Sequence, residues 1–290
     1  MPGEVVLITG CSTGIGAALC EAFHAAGCTV YASARRLESL QPLAAAGIRT
    51  VQLDVTKPDS IKAAVEAVVK EAGHIDILVN NAGLGLVAPL SEVDMTKAKE
   101  VFETNLWGTL AMVQAVAPRM AARRSGTVVN VGSVVGYFGT PWGAIYSSSK
   151  AAVHSLTDAL RLELRPFGIK VMLLAPGAVQ SAIGDNNLKR FDDRFTMYAP
   201  FADAIRERAT ISQGNNSMPT PVFARAVVAQ VLRKPSPPAH FVLGGFAWLT
   251  QLARWFPLWL RDHMLAKRFK LNVALPPPEE IPAVAGKKAD

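Results

Sequence analysis

Short apolar runs rich in β-branched residues alternate with longer, Ala-rich stretches of helical periodicity from the start of the chain to about residue 175. Strands that alternate with helices in this way form βαβ units, whose sheet is parallel and covered by helices on both faces. We therefore predict an α/β fold in which a doubly wound, mostly parallel sheet forms a single domain. The predicted strands are 5–9, 29–33, 49–53, 75–80, 127–131 and 169–174, and the predicted helices are 14–26, 57–72, 96–120 and 146–165.

The composition favours one large domain. The chain has 290 residues, 50% of them hydrophobic, and no Gly/Ser-rich or charged linker interrupts it before its C-terminal part. This is enough apolar material for a substantial core. We predict a main domain over 1–245 and a helical extension over 246–275. The last stretch, 276–290, is Pro-rich and then small and charged, so we predict that it is disordered.

Charge and cysteine usage limit the classes of partner. The net charge of +7 favours anionic ligands, such as a phosphorylated cofactor, or an acidic membrane surface. The basic residues are scattered, so no nucleic-acid partner is expected. Cys11, Cys20 and Cys28 lack CxxC spacing and histidine neighbours, which argues against a disulfide framework or a metal site. The opening apolar run is too short for a secretory signal, so we expect an intracellular protein, cytoplasmic or peripherally bound to a membrane.

A glycine-rich segment follows the first predicted strand and opens the first predicted helix. It reads Thr9-Gly10-Cys11-Ser12-Thr13-Gly14-Ile15-Gly16. Glycine lets the backbone approach a pyrophosphate closely, and a helix N-terminus offers free N–H groups and a partial positive charge. The segment therefore predicts a dinucleotide site. Its spacing is looser than the commonest fingerprint, and a plain strand-to-helix connection is the alternative.

The residues after the second predicted strand indicate which dinucleotide binds. An acidic residue at this point accepts a hydrogen bond from a ribose 2′-OH, whereas an arginine favours a 2′-phosphate. The sequence has Arg35 and Arg36 here and no acid, so NADP(H) is predicted. Arg35 is the stronger candidate because it comes first after the strand. The alternative is that both arginines only solvate the start of a helix.

Two further segments follow predicted strands at the same edge of the sheet. Asp54 is a candidate acceptor for the adenine amino group, and its alternative role is an N-terminal helix cap. The loop Asn80-Asn81-Ala82-Gly83 has small residues that permit close contact with a cofactor. Its alternative role is a turn in which asparagine side chains satisfy neighbouring backbone groups.

Tyr146 and Lys150 lie four residues apart at the start of the last predicted helix, with Ser133 a short way upstream. Residues at i and i+4 share one helix face, so the phenol and the ammonium can converge. A charge about 4 Å away contributes about 4 kcal/mol at an effective dielectric of 20, enough to bring a tyrosine pKa from about 10 to near neutrality. The pair therefore predicts an acid/base tyrosine. The alternative is two surface neighbours on a helix.

Six ordered pieces of the chain together resemble the short-chain dehydrogenase/reductase family, whose fold is the Rossmann fold. The resemblance covers roughly residues 4–182 and implies hydride transfer between a nicotinamide dinucleotide and a carbonyl or alcohol. The pieces are Thr9-Gly10-x-x-x-Gly14-Ile15-Gly16, Asn80-Asn81-Ala82-Gly83, Asn105, Ser133, Tyr146-x-x-x-Lys150 and Pro176-Gly177.

The resemblance implies a role for each candidate. Tyr146 would protonate the carbonyl oxygen, and Lys150 would lower the tyrosine pKa and hold the nicotinamide ribose. Ser133 would hydrogen-bond the substrate oxygen, and Asn105 would support a water-mediated proton path to Lys150. From the residues alone, Ser133 is alternatively a turn hydroxyl and Asn105 a helix residue bonded to nearby backbone. The candidate cofactor residues are Gly10, Ser12, Thr13, Gly14, Ile15, Gly16, Arg35, Arg36, Asp54, Val55, Asn81, Ala82, Gly83, Tyr146, Lys150, Pro176, Gly177, Val179 and Ser181.

The C-terminal part departs from many small family members, because a long aromatic extension follows 240–245. It resembles the branch that holds 17β-hydroxysteroid dehydrogenases, retinol dehydrogenases and 1-acyldihydroxyacetone-phosphate reductases, which implies a bulky apolar or acyl-lipid substrate. Residues 184–218 are polar and irregular around a helical piece, and they form either a mobile lid or an exposed insertion. Residues 246–270 either lie in a membrane interface or wall the pocket or a dimer surface.

The resulting hypothesis is an NADP(H)-dependent oxidoreductase that acts on the carbonyl or secondary alcohol of a bulky apolar or acyl-lipid substrate. Within enzymes, a reductase of acyl-lipid ketones is favoured over a steroid or retinoid dehydrogenase. A dinucleotide-sensing scaffold without chemistry is the alternative from another class. The intact set of Asn105, Ser133, Tyr146 and Lys150 argues against this scaffold. A homodimer is among the oligomeric states that the extension would permit.

Overall fold

Seven parallel strands form the centre of the protein in the computed structural model, which describes residues 3–181, 183–192, 194–211, 214 and 216–273. The strand order in the sheet is β3-β2-β1-β4-β5-β6-β7. The chain thus winds outward in one direction from β1 and then in the other from β4, which confirms the doubly wound α/β fold. The strands are β1 (Val5–Ile8), β2 (Thr29–Ala34), β3 (Arg49–Gln52), β4 (Ile77–Asn80), β5 (Gly126–Val131), β6 (Ile169–Pro176) and β7 (His240–Leu243).

Helices cover both faces of this sheet because the strands are apolar on both sides. On one face, the fully buried Phe23 and Phe223 pack in a cluster with apolar residues of β1 and β2. On the other, the fully buried Met112 and Met120 pack with Leu78 of β4. The helices are α1 (Gly14–Ala25), α2 (Gln41–Ala45), α3 (Pro58–Ala72), α4 (Met95–Phe102), α5 (Gly108–Ala122), α6 (Ala144–Glu163), α7 (Ile183–Arg190), α8 (Ala202–Ala209), α9 (Thr220–Val231), α10 (Ala247–Ala253) and α11 (Leu258–Arg268).

The structure differs from the predicted elements in several places. The predicted helix 96–120 is divided, since a π-helical turn at Glu103–Trp107 separates α4 from α5. Residues 185–187, expected to be irregular, belong to the helix α7. The edge strand β7 and the helix α9 are absent from the predictions. The predicted disordered tail, 276–290, lies outside the described residues.

The C-terminal extension folds back onto the main body of the protein. Trp142 donates a hydrogen bond from Nε1 to the Phe269 carbonyl oxygen at 3.2 Å. Phe269 is buried in a small apolar cluster that also contains Trp142, Phe201 and Ile205. Within the described residues, no helix is both long enough and apolar enough to cross a membrane.

Candidate active site

One cavity of about 1350 Å³ lies at the carboxyl ends of the strands, where the glycine-rich and polar segments meet. It is lined by every candidate cofactor residue and by Ser133. Asn105 does not line it and is buried behind it. Ligands of doubly wound sheets bind at this edge. The site residues that the sequence singles out are therefore brought to one place, with Asn105 as a supporting residue.

The glycine turn after β1 has no room for side chains at its glycines. Gly10 has φ +72° and Gly14 has φ +62°, backbone conformations that L side chains rarely adopt. A Cβ atom placed on Gly16 would lie 2.3 Å from the Gly10 carbonyl oxygen. Thr13 precedes α1, and among the described residues its side chain caps none of the helix N–H groups. Helix N–H groups that no Thr13 side chain caps, beside a turn whose glycines carry no side chains, fit a pyrophosphate.

The loop after β4 is tied to the glycine turn. Asn81 donates from Nδ2 to the carbonyl oxygens of Thr9 at 2.9 Å and Gly10 at 3.1 Å. The Thr9 hydroxyl in turn accepts from the backbone N–H groups of Asn81 and Ala82, at 3.0 Å and 2.9 Å. The loop is therefore a turn in which an asparagine side chain bonds neighbouring backbone groups, as the alternative role predicted. Because Asn81 and Ala82 also line the cavity, that role coexists with a place in the cofactor wall.

Arg35 and Arg36 follow β2 directly, and both are exposed at the cavity. Asp54 also lines the cavity, and its Oδ1 accepts from the Thr56 N–H at 3.0 Å and the Thr56 hydroxyl at 2.8 Å. The N-cap of α3 is Lys57. The alternative role of Asp54 as a helix cap is therefore wrong, and the residue stabilises a turn before the helix.

Tyr146 lies in the first turn of α6, and Ser133 follows β5. Burial raises the pKa of the Tyr146 phenol, while the neighbouring Ser133 hydroxyl and the positive charge of Arg208 lower it by less. The predicted depression of the tyrosine pKa by Lys150 is thus wrong for this geometry. The raising effect of burial prevails, and Lys150 Nζ donates to the Val131 carbonyl oxygen at 2.8 Å and lies 5.7 Å from the centre of the Tyr146 ring. Burial also lowers the pKa of Lys150 itself to about 8.

Asn105 lies in the π-helical turn, a feature that is frequent at functional sites. Its Nδ2 donates to the Leu84 carbonyl oxygen at 3.0 Å and to the Ser149 hydroxyl at 2.9 Å, and its Oδ1 accepts from the Leu84 N–H at 2.7 Å. The side chain therefore joins the loop after β4 to α6. These bonds match the alternative of a residue bonded to nearby backbone, and its part in a proton path stays a prediction.

The family model for short chain dehydrogenases matches residues 4–190. The chain belongs to this family. A short-chain dehydrogenase of Penicillium ochrochloron is 39% identical over 277 residues, which cover 92% of this chain and 98% of the relative. The NADPH-dependent 1-acyldihydroxyacetone phosphate reductase of Saccharomyces cerevisiae is 32% identical and covers 93% of both chains. The crystal structure of a short-chain dehydrogenase from Streptomyces avermitilis superposes with a TM-score of 0.77 at 31% identity, covering 93% of this chain and 97% of that one.

Membership makes the protein an oxidoreductase with a nicotinamide dinucleotide site, and the glycine turn and the loop after β4 fit such a cofactor. Two residues of this short-chain dehydrogenase site escaped the sequence interpretation. His154 accepts a hydrogen bond at Nε2 from the Ser133 N–H at 3.3 Å. Its spacing of four residues after Lys150 was the available signal. Arg208 of α8 lines the cavity close to Tyr146, and nothing in its local sequence marks it.

Proposed function

We propose that this short-chain dehydrogenase uses NADP(H) to interconvert a carbonyl group and a secondary alcohol on a bulky apolar or acyl-lipid substrate. One observation carries the proposal: the Ser133 and Tyr146 side chains line the same cavity as the glycine turn, and Ser133 is near enough to lower the pKa of the Tyr146 phenol. Reduction of a carbonyl develops negative charge on its oxygen, and two hydroxyl donors beside that oxygen stabilise the charge.

The protein's own residues divide the work of proton transfer and positioning. When bound, the nicotinamide dinucleotide supplies or accepts the hydride. Tyr146 donates its proton to the carbonyl oxygen, and its raised pKa keeps the phenol protonated at neutral pH, the state that reduction requires. Ser133 donates to the same oxygen, and the bond from its N–H to His154 fixes its backbone. Lys150 holds the nicotinamide ribose.

Two observations support NADP(H) over NAD(H). Arg35 and Arg36 stand at the cavity where β2 ends, and no acidic residue of the described chain follows β2 there. An arginine at this position pairs with a 2′-phosphate. The yeast relative is also named as NADPH-dependent.

The walls of the cavity support a bulky apolar substrate. Apolar side chains of Leu84, Leu86, Phe138, Leu249 and Met264 line it. The name of the yeast relative, a reductase of an acyl ketone phosphate, favours an acyl-lipid ketone. A steroid or retinoid is the second candidate, because a large apolar cavity would accept a fused-ring or polyene substrate as well.

A substrate panel tests the proposal directly. The protein is incubated with NADPH and, in separate reactions, 1-acyldihydroxyacetone phosphate, a steroid ketone and retinal, and the loss of NADPH absorbance is followed. We expect the acyl ketone to have the highest kcat/KM. A higher value for the steroid or retinal would select the second candidate. Failure of all three, together with failure of simple apolar ketones, would contradict the proposed reaction.

Two further parts of the chain support access for a lipid-like molecule. Residues 184–218 act as a lid in this proposal, since Asn187, Arg208 and Ile211 of this segment line the cavity. The extension over 246–270 contributes Phe246, Leu249 and Met264 to the cavity wall. Its outer face bears Trp248, Trp255 and Trp259, which are 72%, 82% and 71% exposed, and this aromatic face rests on a lipid surface in the proposal.

A further inference from the structure

Arg208 brings a positive charge to the wall of the cavity next to the Tyr146 phenol. Arg208 Nη2 lies beside the start of α6, since a Cβ atom placed on Gly143, three residues before Tyr146, would be 2.9 Å from it. The guanidinium lies 5.7 Å from the centre of the Phe269 ring. Its Nη2 donates to the Thr140 hydroxyl at 3.4 Å, a long hydrogen bond, and its Nε is enclosed with no partner among the described residues.

This charge is poorly compensated by the protein. No carboxylate of the described chain forms an ion pair with Arg208, whereas its neighbours on the rim are paired: Lys270 with Glu207 at 2.5 Å and Arg190 with Glu100 at 2.8 Å. Burial lowers the pKa of Arg208 to about 10, so the group still carries its charge at neutral pH. A half-buried cation without an anionic partner costs desolvation free energy, and an apolar side chain would pack there at lower cost.

The rest of the cavity has the same electrostatic sign. Among its described lining residues, Asp54 is the one carboxylate, and it belongs to the end where β3 leads into α3. The cavity lining also contains the cationic residues Lys189, Arg190, Arg261, Lys267, Arg268 and Lys270, of which Arg190, Arg268 and Lys270 form ion pairs with Glu100 or Glu207. A low-dielectric cavity lined by one sign of charge concentrates ligands of the opposite sign.

We propose that Arg208 binds an anionic group of the substrate, a phosphate or a carboxylate, while the ketone of the same molecule faces Tyr146. The inference rests on the proposed function and names the substrate class more closely. A guanidinium presents donors in a planar fork that fits both anions. The apolar walls then accommodate the remainder of the molecule, so the substrate is an anionic amphiphile.

The test compares matched substrates with and without the anion. Wild type, Arg208→Gln and Arg208→Lys are assayed with 1-acyldihydroxyacetone phosphate, with its dephosphorylated form and with a keto fatty acid of similar length. The expected result is a kcat/KM at least tenfold higher for one of the anionic substrates than for the neutral one. In Arg208→Gln that preference should fall roughly tenfold to a hundredfold, the loss expected for a hydrogen bond to a charged group.

Two variants keep the comparison interpretable. Arg208→Lys should retain part of the preference, because it keeps the charge but loses the fork. Arg206 is an exposed residue on the same helix, and Arg206→Gln makes the same change of charge. This variant should retain the full preference for the anionic substrate. Thermal unfolding of each variant identifies one that has failed to fold, in which case Arg208→Lys carries the comparison. The anion that wild type prefers identifies whether phosphate or carboxylate is recognised.

Binding without turnover separates this inference from the proposed reaction. The affinity for 1-acylglycerol 3-phosphate, which has no ketone to reduce, is measured by calorimetry for wild type and Arg208→Gln. At least tenfold weaker binding to Arg208→Gln supports the anion site, even if no tested ketone is reduced. Equal binding, or equal kcat/KM for anionic and neutral ketones in wild type, would overturn it while leaving hydride transfer intact.

Discussion

The backbone N–H of Ser133 donates a hydrogen bond to Nε2 of His154 at 3.3 Å. His154 lies on α6 one turn after Lys150, which lies one turn after Tyr146, so three residues of one helix face meet the loop that carries Ser133. An imidazole nitrogen that accepts a hydrogen bond must be unprotonated. Burial, assisted by the charge of Lys150, lowers the pKa of His154 to about 4, which favours that state. The position of Ser133 thus depends on a neutral histidine.

This dependence predicts that the protein loses stability in mild acid. An unfolded histidine takes up a proton near pH 6.5, whereas folded His154 does so only near pH 4. Between these values the unfolded state binds more protons, so the free energy of unfolding falls as the pH falls. The His154 contribution to this loss is about 2 kcal/mol between pH 7 and pH 5.

The measurement is urea unfolding at pH 7 and pH 5. His154→Gln should lose less stability between the two pH values than wild type does, whatever its stability at pH 7. His24→Gln, which changes an exposed histidine, should behave like wild type. An equal acid loss in wild type and His154→Gln would show that the buried imidazole is not the cause.

Arg35 provides a test of the cofactor choice. Arg35→Asp replaces a cation with a carboxylate where β2 ends, so it should repel a 2′-phosphate and accept a hydrogen bond from a ribose 2′-OH. The ratio of kcat/KM for NADPH to that for NADH should fall at least tenfold, since one charged hydrogen bond is lost. Arg36→Asp should have the smaller effect. An unchanged ratio in Arg35→Asp would mean that this arginine does not contact the phosphate.

Lys150 predicts a pH dependence of cofactor binding. Its pKa is lowered by burial to about 8, so the ammonium is present below this pH and lost above it. The affinity for NADPH, measured by fluorescence titration, should therefore fall as the pH rises from 7 to 9. The expected fall is about tenfold, or about 1.4 kcal/mol for a charge-assisted contact. Lys150→Met should remove this dependence and the exposed Lys62→Met should keep it; a wild-type affinity that stays constant over the range would refute the prediction.

The exposed tryptophans predict binding to lipid. Wild type should co-sediment with vesicles that contain anionic phospholipid, and replacing Trp248, Trp255 and Trp259 by serine should weaken binding at least tenfold, because each ring buries apolar area in the interface. Trp107→Ser is the control, since Trp107 is 51% exposed but lies outside the extension. Absence of wild-type binding would contradict the lipid surface. A wild-type dimer that the triple variant dissociates would assign the face to self-association.

Much of the fold was predictable from the sequence because its strands are short, apolar and bounded by turn residues. The edge strand β7 was harder, since four residues that are half-buried or exposed show neither a long apolar run nor a clear alternation. The helix α9 contains many β-branched residues and is held by packing of residues such as Phe223 against the cluster around Phe23. Tertiary contacts of this kind override local propensity.

The candidate site, too, was predictable from the sequence only in part. Glycine spacing and the Tyr146–Lys150 pair are local patterns. The site residues that lie at the carboxyl ends of the strands could therefore be predicted from the sequence. The direction of the tyrosine pKa shift could not be predicted, because it depends on the burial of the phenol and on the position of Lys150 Nζ. In the structure, Lys150 Nζ donates to the Val131 carbonyl oxygen. Arg208 comes from a helix some 60 residues after Tyr146 in a segment without a motif. Only the packing of that helix on Trp142 and Phe269 reveals its place.

The most direct test of the proposed function is the rate of NADPH-dependent ketone reduction by Tyr146→Phe, measured together with its affinity for NADPH. Removing one hydroxyl removes the proton donor and leaves the glycine turn intact. The expected result is a kcat at least a thousandfold below wild type, as loss of a general acid and its hydrogen bond implies, with an NADPH affinity within about threefold of wild type. Tyr198→Phe, which removes a phenol outside the cavity lining, should retain wild-type turnover. Substantial turnover by Tyr146→Phe would contradict the central claim that Tyr146 is the proton donor.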